Sequence, residues 1–396
     1  DVRENLEFFK NRLLEVKNQQ VPAEEQKHQG EEIRELNEII LKTEGAKKHQ
    51  FTGFQMSHEM LLLTNREQRE VTLSEVKEIG ASVQRKAELH PLGVLVFSKK
   101  VTPFTKLRTY RELLFPIHTN ERIPAMPHRA AELLWHSDLY AFLTECHEGD
   151  APFFFRLEVK SAEPKTEFVK KLGASLEKKS DWKLANSTTD YEIEIRLIEA
   201  KDGSFVPFLK LYSMKMKRFA YRKNAIAMSI HPATAAMLMH LAKPYLKENA
   251  QILDPCCGVG TMLIERDILV PAREKYGIDI FGDAIDMARE NAALAGEKIN
   301  FIHRDYFDFK HDYKFDEIIT NMPVKGKKAK EDMDAFYARF FEKSKSLLAE
   351  DGIIIMYSNE VGFVKKQLRL QPCYRLIQEY TIRKKDSYCL FIIGMK

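Results

Sequence analysis

A short apolar run followed by a glycine-containing turn constrains the fold of this chain more than any other feature. Residues 250–261 read Ala-Gln-Ile-Leu-Asp-Pro-Cys-Cys-Gly-Val-Gly-Thr, so a strand that ends at Asp254 runs into a turn whose flexible residues are Gly258 and Gly260. Glycine has no Cβ atom, and a ligand can therefore approach the backbone closely. This turn predicts a site for a cofactor that contains a nucleoside.

Three further strand ends follow in chain order. Asp279 closes a second predicted strand, Asp305 follows a third, and Asn321-Met322-Pro323 closes a fourth. The alternation of strands and helices from residue 250 onward predicts a doubly wound α/β fold with a seven-stranded, mostly parallel sheet. In such a sheet the carboxyl ends of the strands meet at one edge, where ligands bind. The predicted strands cover 251–253, 275–280, 300–303, 317–320 and 352–357, with a terminal pair near 374–380 and 388–393.

The spacing of the turn separates two classes of cofactor. A dinucleotide-binding turn favours a third glycine three residues after Gly260, where this chain has Leu263. S-adenosylmethionine needs open backbone beside its methionine part, a carboxylate for its ribose and an acceptor for its adenine amino group, which Gly258, Asp279 and Asp305 supply. We therefore predict S-adenosylmethionine as the cofactor. The cofactor-binding candidates are Asp254, Cys256, Gly258, Gly260, Thr261, Asp279, Ile280, Asp305, Tyr306 and Asn321.

Positive charge is concentrated in two segments, although the net charge is only +4 over 396 residues. Lysine and arginine cluster in 210–223 and again in 325–330, and Tyr212, Phe219 and Tyr221 lie within the first cluster. Cations for phosphates and flat rings for bases are typical of a nucleic-acid surface, although a solvated charged face has a similar composition. The RNA-binding candidates are Lys217, Arg218, Arg222, Lys223, Lys325, Lys327 and Lys328.

Several classes of protein are disfavoured by the composition. No segment approaches the roughly 20 apolar residues that span a bilayer, and the first residues lack the apolar stretch of a signal peptide. The five cysteines have neither metal-site spacing nor the pattern of a disulfide framework. We expect a cytoplasmic protein without a membrane or metal partner. The adjacent Cys256 and Cys257 favour close approach of a ligand over thiol chemistry.

Two regions precede the predicted sheet. Residues 1–148 are predicted to form helices up to about residue 50, then a strand at 60–64, a helix at 73–89 and a strand at 92–97, and we assign no chemistry to them. Residues 149–218 are predicted to form a strand at 153–160, a helix at 165–178 and a hairpin that turns at Gly203.

The second of these regions resembles a known RNA-binding module. The order of strand, helix and paired strands, with Asn186-Ser187 before Asp190-Tyr191-Glu192-Ile193, is similar to the THUMP module of tRNA-modifying enzymes. The resemblance covers about residues 150–215. We therefore predict three domains: an N-terminal region of unknown role (1–148), a THUMP-like domain (149–218) and a catalytic domain (219–396).

The catalytic region resembles the class I methyltransferases of the THUMP-associated family, which methylate guanosine N2 in tRNA or rRNA. The family's motif of Asn or Asp, any residue, Pro, and Phe or Tyr matches Asn321-Met322-Pro323-Val324 except at its last position. The resemblance implies that Asn321, Met322 and Pro323 are the catalytic residues. Residues 221–242 resemble the segment that enters this domain, in which we predict that His231 shapes the start of a helix.

The motif suggests a mechanism that needs no strong base. The Asn321 side-chain oxygen and the Met322 carbonyl would accept hydrogen bonds from an exocyclic amino group and direct its lone pair at the methyl donor. Because Val324 cannot stack on the target base, another ring must hold it. The candidates are Tyr357, Phe336, Tyr337 and Phe219.

Three functions remain open from the sequence. The first is a guanine-N2 methyltransferase of RNA, with tRNA as the substrate implied by the THUMP resemblance and rRNA as another. The second is a methyltransferase of a different amino group, such as adenine N6 in DNA or RNA. The third is an inactive RNA-binding homologue, which the valine at position 324 motivates.

Overall fold

The computed structural model describes residues 5–44, 49–80, 82–149, 152–324 and 333–396. Within those ranges the helices are α1 (Leu6–Asn18), α2 (Gln26–Glu44), α3 (Arg69–Glu78), α4 (Pro127–Trp135), α5 (Leu139–Cys146), α6 (Thr166–Lys179), α7 (Pro232–Ala242), α8 (Thr261–Leu269), α9 (Gly282–Ala295), α10 (Met333–Leu347) and α11 (Val361–Leu370). The strands are β1 (Gln50–Phe51), β2 (His58–Leu63), β3 (Gln84–His90), β4 (Gly93–Ser98), β5 (Glu112–Pro116), β6 (His147–Glu148), β7 (Phe153–Lys160), β8 (Leu184–Asn186), β9 (Ile193–Glu199), β10 (Phe205–Leu211), β11 (Gln251–Asp254), β12 (Glu274–Asp279), β13 (Asn300–His303), β14 (Phe315–Asn321), β15 (Leu348–Ser358), β16 (Tyr374–Arg383) and β17 (Tyr388–Met395).

The chain is divided into two compact units, each built from two separate segments. The first unit comprises Asp1–Met60 and Leu114–Lys215, and the second comprises Leu61–Leu113 and Met216–Lys396. The chain passes between them at β2, at β5 and after β10. The predicted domain boundaries at residues 148 and 218 stay a prediction.

The first unit contains the strands and helix of the THUMP-like region. Strand β7 pairs in parallel with both β8 and β9, and β9 pairs antiparallel with β10 through the hairpin at Gly203, whose φ is +78°. The predicted order of strand, helix and hairpin is therefore present. Near the amino terminus, α1 and α2 pack through Val16, Ile33 and Leu36.

The sequence prediction of one helix over residues 73–89 is wrong. Helix α3 ends at Glu78, Gly80 adopts a left-handed φ of +87°, and residues from Gln84 onward form β3. Strand β3 pairs antiparallel with β4, which satisfies its backbone groups outside any helix. A glycine in this conformation is a common helix terminator because it carries no Cβ penalty.

The second unit contains the seven-stranded sheet that the sequence predicted. The strand order is β13-β12-β11-β14-β15-β17-β16, and its pairs are parallel except for those that involve β17. The predicted α/β class with a mostly parallel sheet is therefore confirmed.

Helices cover both faces of this sheet. Alternate strand residues enter opposite cores, so that Ile319 and Ile355 pack with residues of α7, α8 and α9. Ile318 and Ile354 pack instead with residues of α10 and α11. Burial on both faces explains why these strands read as continuous apolar runs in the sequence. The apolar residues within the strands form the two cores, whereas the polar residues at the strand ends lie at the edge of the sheet, where a ligand can bind.

Candidate active site

A cavity of about 740 Å³ lies at the carboxyl edge of the seven-stranded sheet, and its walls belong entirely to the second unit. The ends of β11, β12 and β14 all contribute to it. Of the ten residues predicted to bind cofactor, nine line the cavity, and Gly260 is the exception. The predicted catalytic residues Asn321, Met322 and Pro323 also line it.

The two glycines of the turn after β11 have different structural roles. Gly258 has a φ of +50°, and a Cβ added there would find only the Ile226 side chain, 4.0 Å away. Its backbone is therefore open to the cavity. Gly260 has a φ of +81°, and a Cβ there would lie 2.8 Å from the Phe301 ring. It permits close packing behind the cavity at the start of α8.

Asp279 is fixed in position by two backbone donors. The Gly258 N–H donates to its Oδ2 at 2.8 Å, and the Phe281 N–H donates to its Oδ1 at 3.0 Å. The two residues that follow it, Ile280 and Phe281, are 57% and 64% exposed and line the cavity. This arrangement combines an oriented carboxylate with exposed apolar surface, which suits a sugar diol attached to a flat ring.

Two buried polar groups face the cavity near the turn. Asp254 is 1% exposed, and it accepts a hydrogen bond from the Cys256 N–H at 3.1 Å. Burial raises the pKa of this carboxyl well above its usual value, and the nearby charge of Asp279 adds to the effect. The Thr261 hydroxyl is buried and has no hydrogen-bond partner among the described residues. A polar or cationic ligand would satisfy both groups.

The loop after β13 supplies a polar and an aromatic wall. Asp305 accepts a hydrogen bond from the Phe307 N–H at 2.8 Å, and the buried Tyr306 hydroxyl lies 2.9 Å from the Ser344 hydroxyl. The Arg339 guanidinium lies 3.8 Å from the centre of the Phe307 ring. The ring is thereby held in place at this wall.

The Asn321-Met322-Pro323 segment is held by the neighbouring strand β15. Asn321 is the pairing partner of Tyr357, and the Met322 N–H donates to the Tyr357 carbonyl at 2.9 Å. All three residues line the cavity, and the Met322 side chain, which is 2% exposed, also packs into the core. The amide of Asn321 is thus presented from a rigid strand end.

His231 has the structural role that the sequence predicted. Its Nδ1 accepts a hydrogen bond from the Ala233 N–H at 3.1 Å and so caps the start of α7. Burial, with added repulsion from Arg111 and Arg222, lowers the pKa of His231 to about 4. The imidazole is therefore neutral near pH 7, as an acceptor must be.

The cations predicted to bind RNA differ in their surroundings. Arg218 donates hydrogen bonds to the carbonyls of Leu107, Tyr110 and Arg111, so backbone carbonyls of the second unit occupy its guanidinium donors. The remaining candidates in this cluster are Lys217 and Lys223, which are exposed, and Arg222, whose Nε is buried without a partner among the described residues. The predicted Lys325, Lys327 and Lys328 lie outside the described residues.

Only some of the predicted stacking rings reach the cavity. Tyr357 and Phe336 line it. Tyr337 is fully buried, with its hydroxyl 2.6 Å from that of Ser358. Phe219 lies near two guanidiniums, 4.9 Å from Arg108 and 4.6 Å from Arg218. Tyr357 and Phe336 therefore remain as candidates that border the site.

Several cavity residues were missed by the sequence reasoning. Asn65 and Arg111 come from residues 61–113, which are far from the seven strands along the chain, and no local pattern identified them. Arg383 and Tyr388 lie in the terminal strand pair, where the run Arg-Lys-Lys-Asp-Ser-Tyr has the same mixture of cations and rings that identified the cluster at 210–223. That composition could have predicted them.

The described residues contain neither a membrane-spanning helix nor a cluster of metal-ligating side chains. None of their helices is both long enough and apolar enough to cross a membrane, and the predicted cytoplasmic location stays a prediction. Their His, Cys, Asp and Glu side chains form no group of three or more that could hold a metal ion.

Comparison with known proteins places this cavity in a familiar domain. The family described as "Methyltransferase small domain" matches residues 227–385. The chain is 32% identical over 162 residues to a tRNA (guanine(10)-N2)-dimethyltransferase of Methanothermobacter thermautotrophicus, which covers 40% of this chain and 46% of that protein. It is 27% identical over 192 residues to the U6 snRNA (guanine-N(2))-methyltransferase THUMPD2 of Bos taurus, which covers 48% of this chain and 36% of that protein.

A solved structure shows the same fold. The crystal structure of TrmN from Thermus thermophilus matches with a TM-score of 0.60 and 19% identity, over 85% of this chain and 99% of that one. Residues 227–385 therefore form a methyltransferase domain of the Rossmann-like class I fold. The relatives also confirm the resemblance to THUMP-type RNA methyltransferases. The chain spans less than half the length of the two curated relatives named above.

Proposed function

We propose that this protein transfers a methyl group from S-adenosylmethionine to the exocyclic N2 of a guanosine in structured RNA, with tRNA as the substrate. The observation that carries the proposal is that Asn321, Asp279 and Gly258 line one cavity. The matched methyltransferase domain and the guanine-N2 activity printed for two relatives support it.

The residues of the cavity fit the cofactor. The open backbone at Gly258 accommodates the methionine part, and the unpartnered Thr261 hydroxyl and the buried Asp254 offer it polar contacts. Asp279, oriented by two backbone donors, would bind the ribose hydroxyls. Ile280 and Phe307, which line the cavity, would border the adenine ring, and Asp305 would accept a hydrogen bond from its amino group. We assign Cys256 and Tyr306 to the wall around the cofactor.

The chain's own residues perform the transfer by alignment. The bound cofactor supplies an electrophilic methyl group. The Asn321 side-chain oxygen and the Met322 carbonyl accept hydrogen bonds from the guanine amino group and turn its lone pair toward that methyl group. Pro323 ends the strand, and the anchoring of Met322 to β15 keeps the acceptors fixed. Rate then comes from positioning and from exclusion of water.

RNA would reach this cavity with help from several regions. We propose that residues 149–218 act as a THUMP-like RNA-binding domain. The exposed Lys217 and Lys223 would contact phosphates, and we extend this role to Arg222, Lys325, Lys327 and Lys328 on sequence grounds. Arg218 would instead support these contacts through the carbonyls that it holds.

Methyl transfer from labelled S-adenosylmethionine into tRNA, rRNA and DNA, assayed separately, tests the proposal. Nucleoside analysis should find N2-methylguanosine in tRNA. Detection of N6-methyladenosine, or of label in DNA alone, would show that the target is an amino group other than guanine N2. Absence of both transfer and cofactor binding would contradict the proposal and favour an inactive RNA-binding protein.

A further inference from the structure

A row of four side chains crosses the sheet at the edge of the cavity. Asn321 on β14 and Tyr357 on β15 are direct pairing partners, and so are Arg383 on β16 and Tyr388 on β17. Tyr357 pairs with Leu390, two residues from Tyr388, so both tyrosines emerge on the same face of the sheet. All four residues line the cavity.

The aromatic part of this row is an ordered stack. The Tyr357 and Tyr388 rings are stacked with centroids 4.8 Å apart and planes inclined by 29°. The Arg383 guanidinium lies 4.3 Å from the centre of the Tyr388 ring. Because β17 lies between β15 and β16, Tyr357 and Arg383 flank Tyr388 from opposite sides. The row therefore runs from an amide through two rings to a cation.

A bulge in β16 brings Arg383 into this row. Thr381 pairs with Cys389 and Arg383 with Tyr388, so Ile382 is an extra residue on β16. Bulges redirect the side chains that follow them. The carbonyls at the bulge are not left unsatisfied, since Asn65 donates to the Ile382 carbonyl at 2.9 Å and Gln68 donates to the Thr381 carbonyl at 2.8 Å. These contacts fix the end of the hairpin beside the cavity.

The row continues into positive charge at the mouth of the cavity. Arg383 is about half exposed and pairs with Asp386 at 2.7 Å, and Lys385 in the same turn is exposed. Arg111, which also lines the cavity, is exposed and donates to the Thr234 hydroxyl at 3.2 Å. Guanidinium groups that retain exposed surface are well suited to phosphates.

Four other rings of the cavity, those of Phe281, Tyr306, Phe307 and Phe336, lie on the side assigned to the cofactor. Phe281 lies two residues after Asp279 in the sequence. Phe307 lies two residues after Asp305, and its ring centroid is 5.8 Å from that of Phe336. Tyr357 and Tyr388 are the rings that continue from Asn321 across the sheet. A ring whose amino group is held by Asn321 therefore has these two tyrosines beside it.

We propose that the row Tyr357, Tyr388 and Arg383 is the RNA-binding wall of the cavity, which holds the target nucleotide in place of the aromatic residue absent at position 324. The target base packs against the tyrosine pair, and Arg383 and Arg111 bind phosphates of the same strand. This inference rests on the proposed function, because it assigns the substrate half of that site. Tyr388 and Arg383 act as positioning residues.

Kinetics of RNA methylation by the full-length protein test this assignment. Tyr388→Leu should raise KM for tRNA roughly five- to hundredfold, the range expected for loss of one stacking contact, and leave the Kd for S-adenosylmethionine unchanged. Tyr388→Phe should keep most of the affinity for tRNA that Tyr388→Leu loses, because it retains the aromatic ring. Arg383→Gln should raise KM and reduce the dependence of KM on salt. Arg375→Gln, an exposed position near the other end of β16, is the matched control and should behave as wild type.

The result that would overturn the assignment is wild-type KM and kcat for tRNA in Tyr388→Leu. A fall in cofactor affinity equal to that in RNA affinity, or a failure of Tyr388→Phe to restore binding, would also overturn it, because both indicate a general structural defect.

A binding measurement separates this inference from the proposed function. Fluorescence anisotropy of labelled bulk tRNA, measured with saturating S-adenosylhomocysteine, does not depend on turnover. If the wild-type protein methylates no RNA but Tyr388→Leu and Arg383→Gln weaken tRNA binding while Arg375→Gln does not, the wall is supported and the activity is not. If tRNA is methylated and binding is insensitive to Tyr388 and Arg383, the activity stands and the wall is rejected.

Discussion

Asp279 and Asn321 occupy the same cavity, but their replacement should have different effects. Asp279→Ala removes the carboxylate that two backbone N–H groups orient, and we expect cofactor binding to weaken by about 100-fold or more. Asn321→Ala leaves those contacts in place and should preserve binding while lowering kcat by about 100-fold or more. Calorimetric titration with S-adenosylmethionine and single-turnover transfer measure the two effects. Unchanged transfer in Asn321→Ala would contradict its assigned role.

The buried carboxyl of Asp254 should make the stability of the cofactor-free protein depend on pH. Burial raises its pKa in the folded state, so the folded state binds the proton more tightly than the unfolded state, where the pKa is about 3.9. Stability should therefore fall as pH rises from about 4 through the raised folded-state value. Asp254→Asn should remove this loss of stability at higher pH, because an asparagine side chain does not titrate.

Urea unfolding of the wild-type protein and of Asp254→Asn, measured from pH 4 to pH 9, tests the effect. The free energy of unfolding should decline less with pH in the variant. An exposed carboxylate at the same edge, Asp305, provides the control through Asp305→Asn. Parallel curves for the wild type and Asp254→Asn would contradict the prediction.

The residues of the site could be predicted from the sequence where local pattern was enough. Asp254, Asp279 and Asn321 each end an apolar strand, and parallel strands bring such ends together. Arg111 reaches the cavity from a segment that lies far from the sheet strands in sequence, which no local period encodes, whereas Tyr388 lies in a run of cations and a ring whose composition could have identified it. Arg218 belongs to a basic cluster, yet composition cannot show that backbone carbonyls take up its donors.

At the scale of elements, the turn between β11 and α8 should be sensitive to replacement of Gly260. Gly260→Ala places a Cβ 2.8 Å from the Phe301 ring in a left-handed conformation, so we expect a loss of about 2–4 kcal/mol in the free energy of unfolding. Gly296, which ends α9, has a similar φ of +76°, but a Cβ there would meet nothing within 4 Å. Gly296→Ala should cost only about 1 kcal/mol.

Denaturant unfolding of the two variants gives the comparison directly. The difference between them isolates the steric contact with Phe301, because both carry the same backbone strain. Equal losses would mean that Phe301 moves aside at little cost.

The elements themselves were predicted unequally well. The strands of the seven-stranded sheet were identified because burial on both faces gives them long apolar runs. The helix predicted over 73–89 failed because β3 carries charged residues such as Lys86 and Glu88, whose pattern suits an exposed strand or a helix surface alike. Pairing with β4 decides between them.

At the scale of the whole molecule, one buried ion pair should contribute more to stability than exposed pairs do. Arg266 and Glu317 are both fully buried and joined at 2.7 and 2.8 Å, and the Lys247 N–H also donates to Glu317. Arg266→Met leaves an unpaired buried carboxylate and should cost about 3–5 kcal/mol. Asp286→Asn, which breaks the exposed pair with Arg289, should cost at most about 0.5 kcal/mol.

Thermal and urea unfolding of the two variants measure these costs. The double variant Arg266→Met with Glu317→Leu should recover part of the loss, because it removes both charges. A double variant as unstable as Arg266→Met alone would show that packing, and not the stranded charge, causes the loss.

Because the second unit is built from two segments of the chain, the stability of a fragment should depend on whether it contains both. Arg108 binds the fully buried Glu265 through two hydrogen bonds of 2.8 Å, and the Tyr221 hydroxyl donates to the same carboxylate. A fragment of residues 219–396 lacks Arg108, and we expect it to unfold at lower temperature than residues 61–113 joined by a short Gly-Ser linker to 216–396. Calorimetry of both fragments gives the comparison. Equal midpoints would show that 61–113 adds nothing to the stability of this unit.

The interleaving of the two units also governs how the chain is made and how it can be exchanged. The first unit has all of its residues once the ribosome passes Lys215, whereas Leu61–Leu113 must wait for the rest of the second unit. A single recombination point therefore cannot transplant either unit intact into another gene. The two must be inherited together, or rebuilt with three junctions, one at each point where the chain passes between the units.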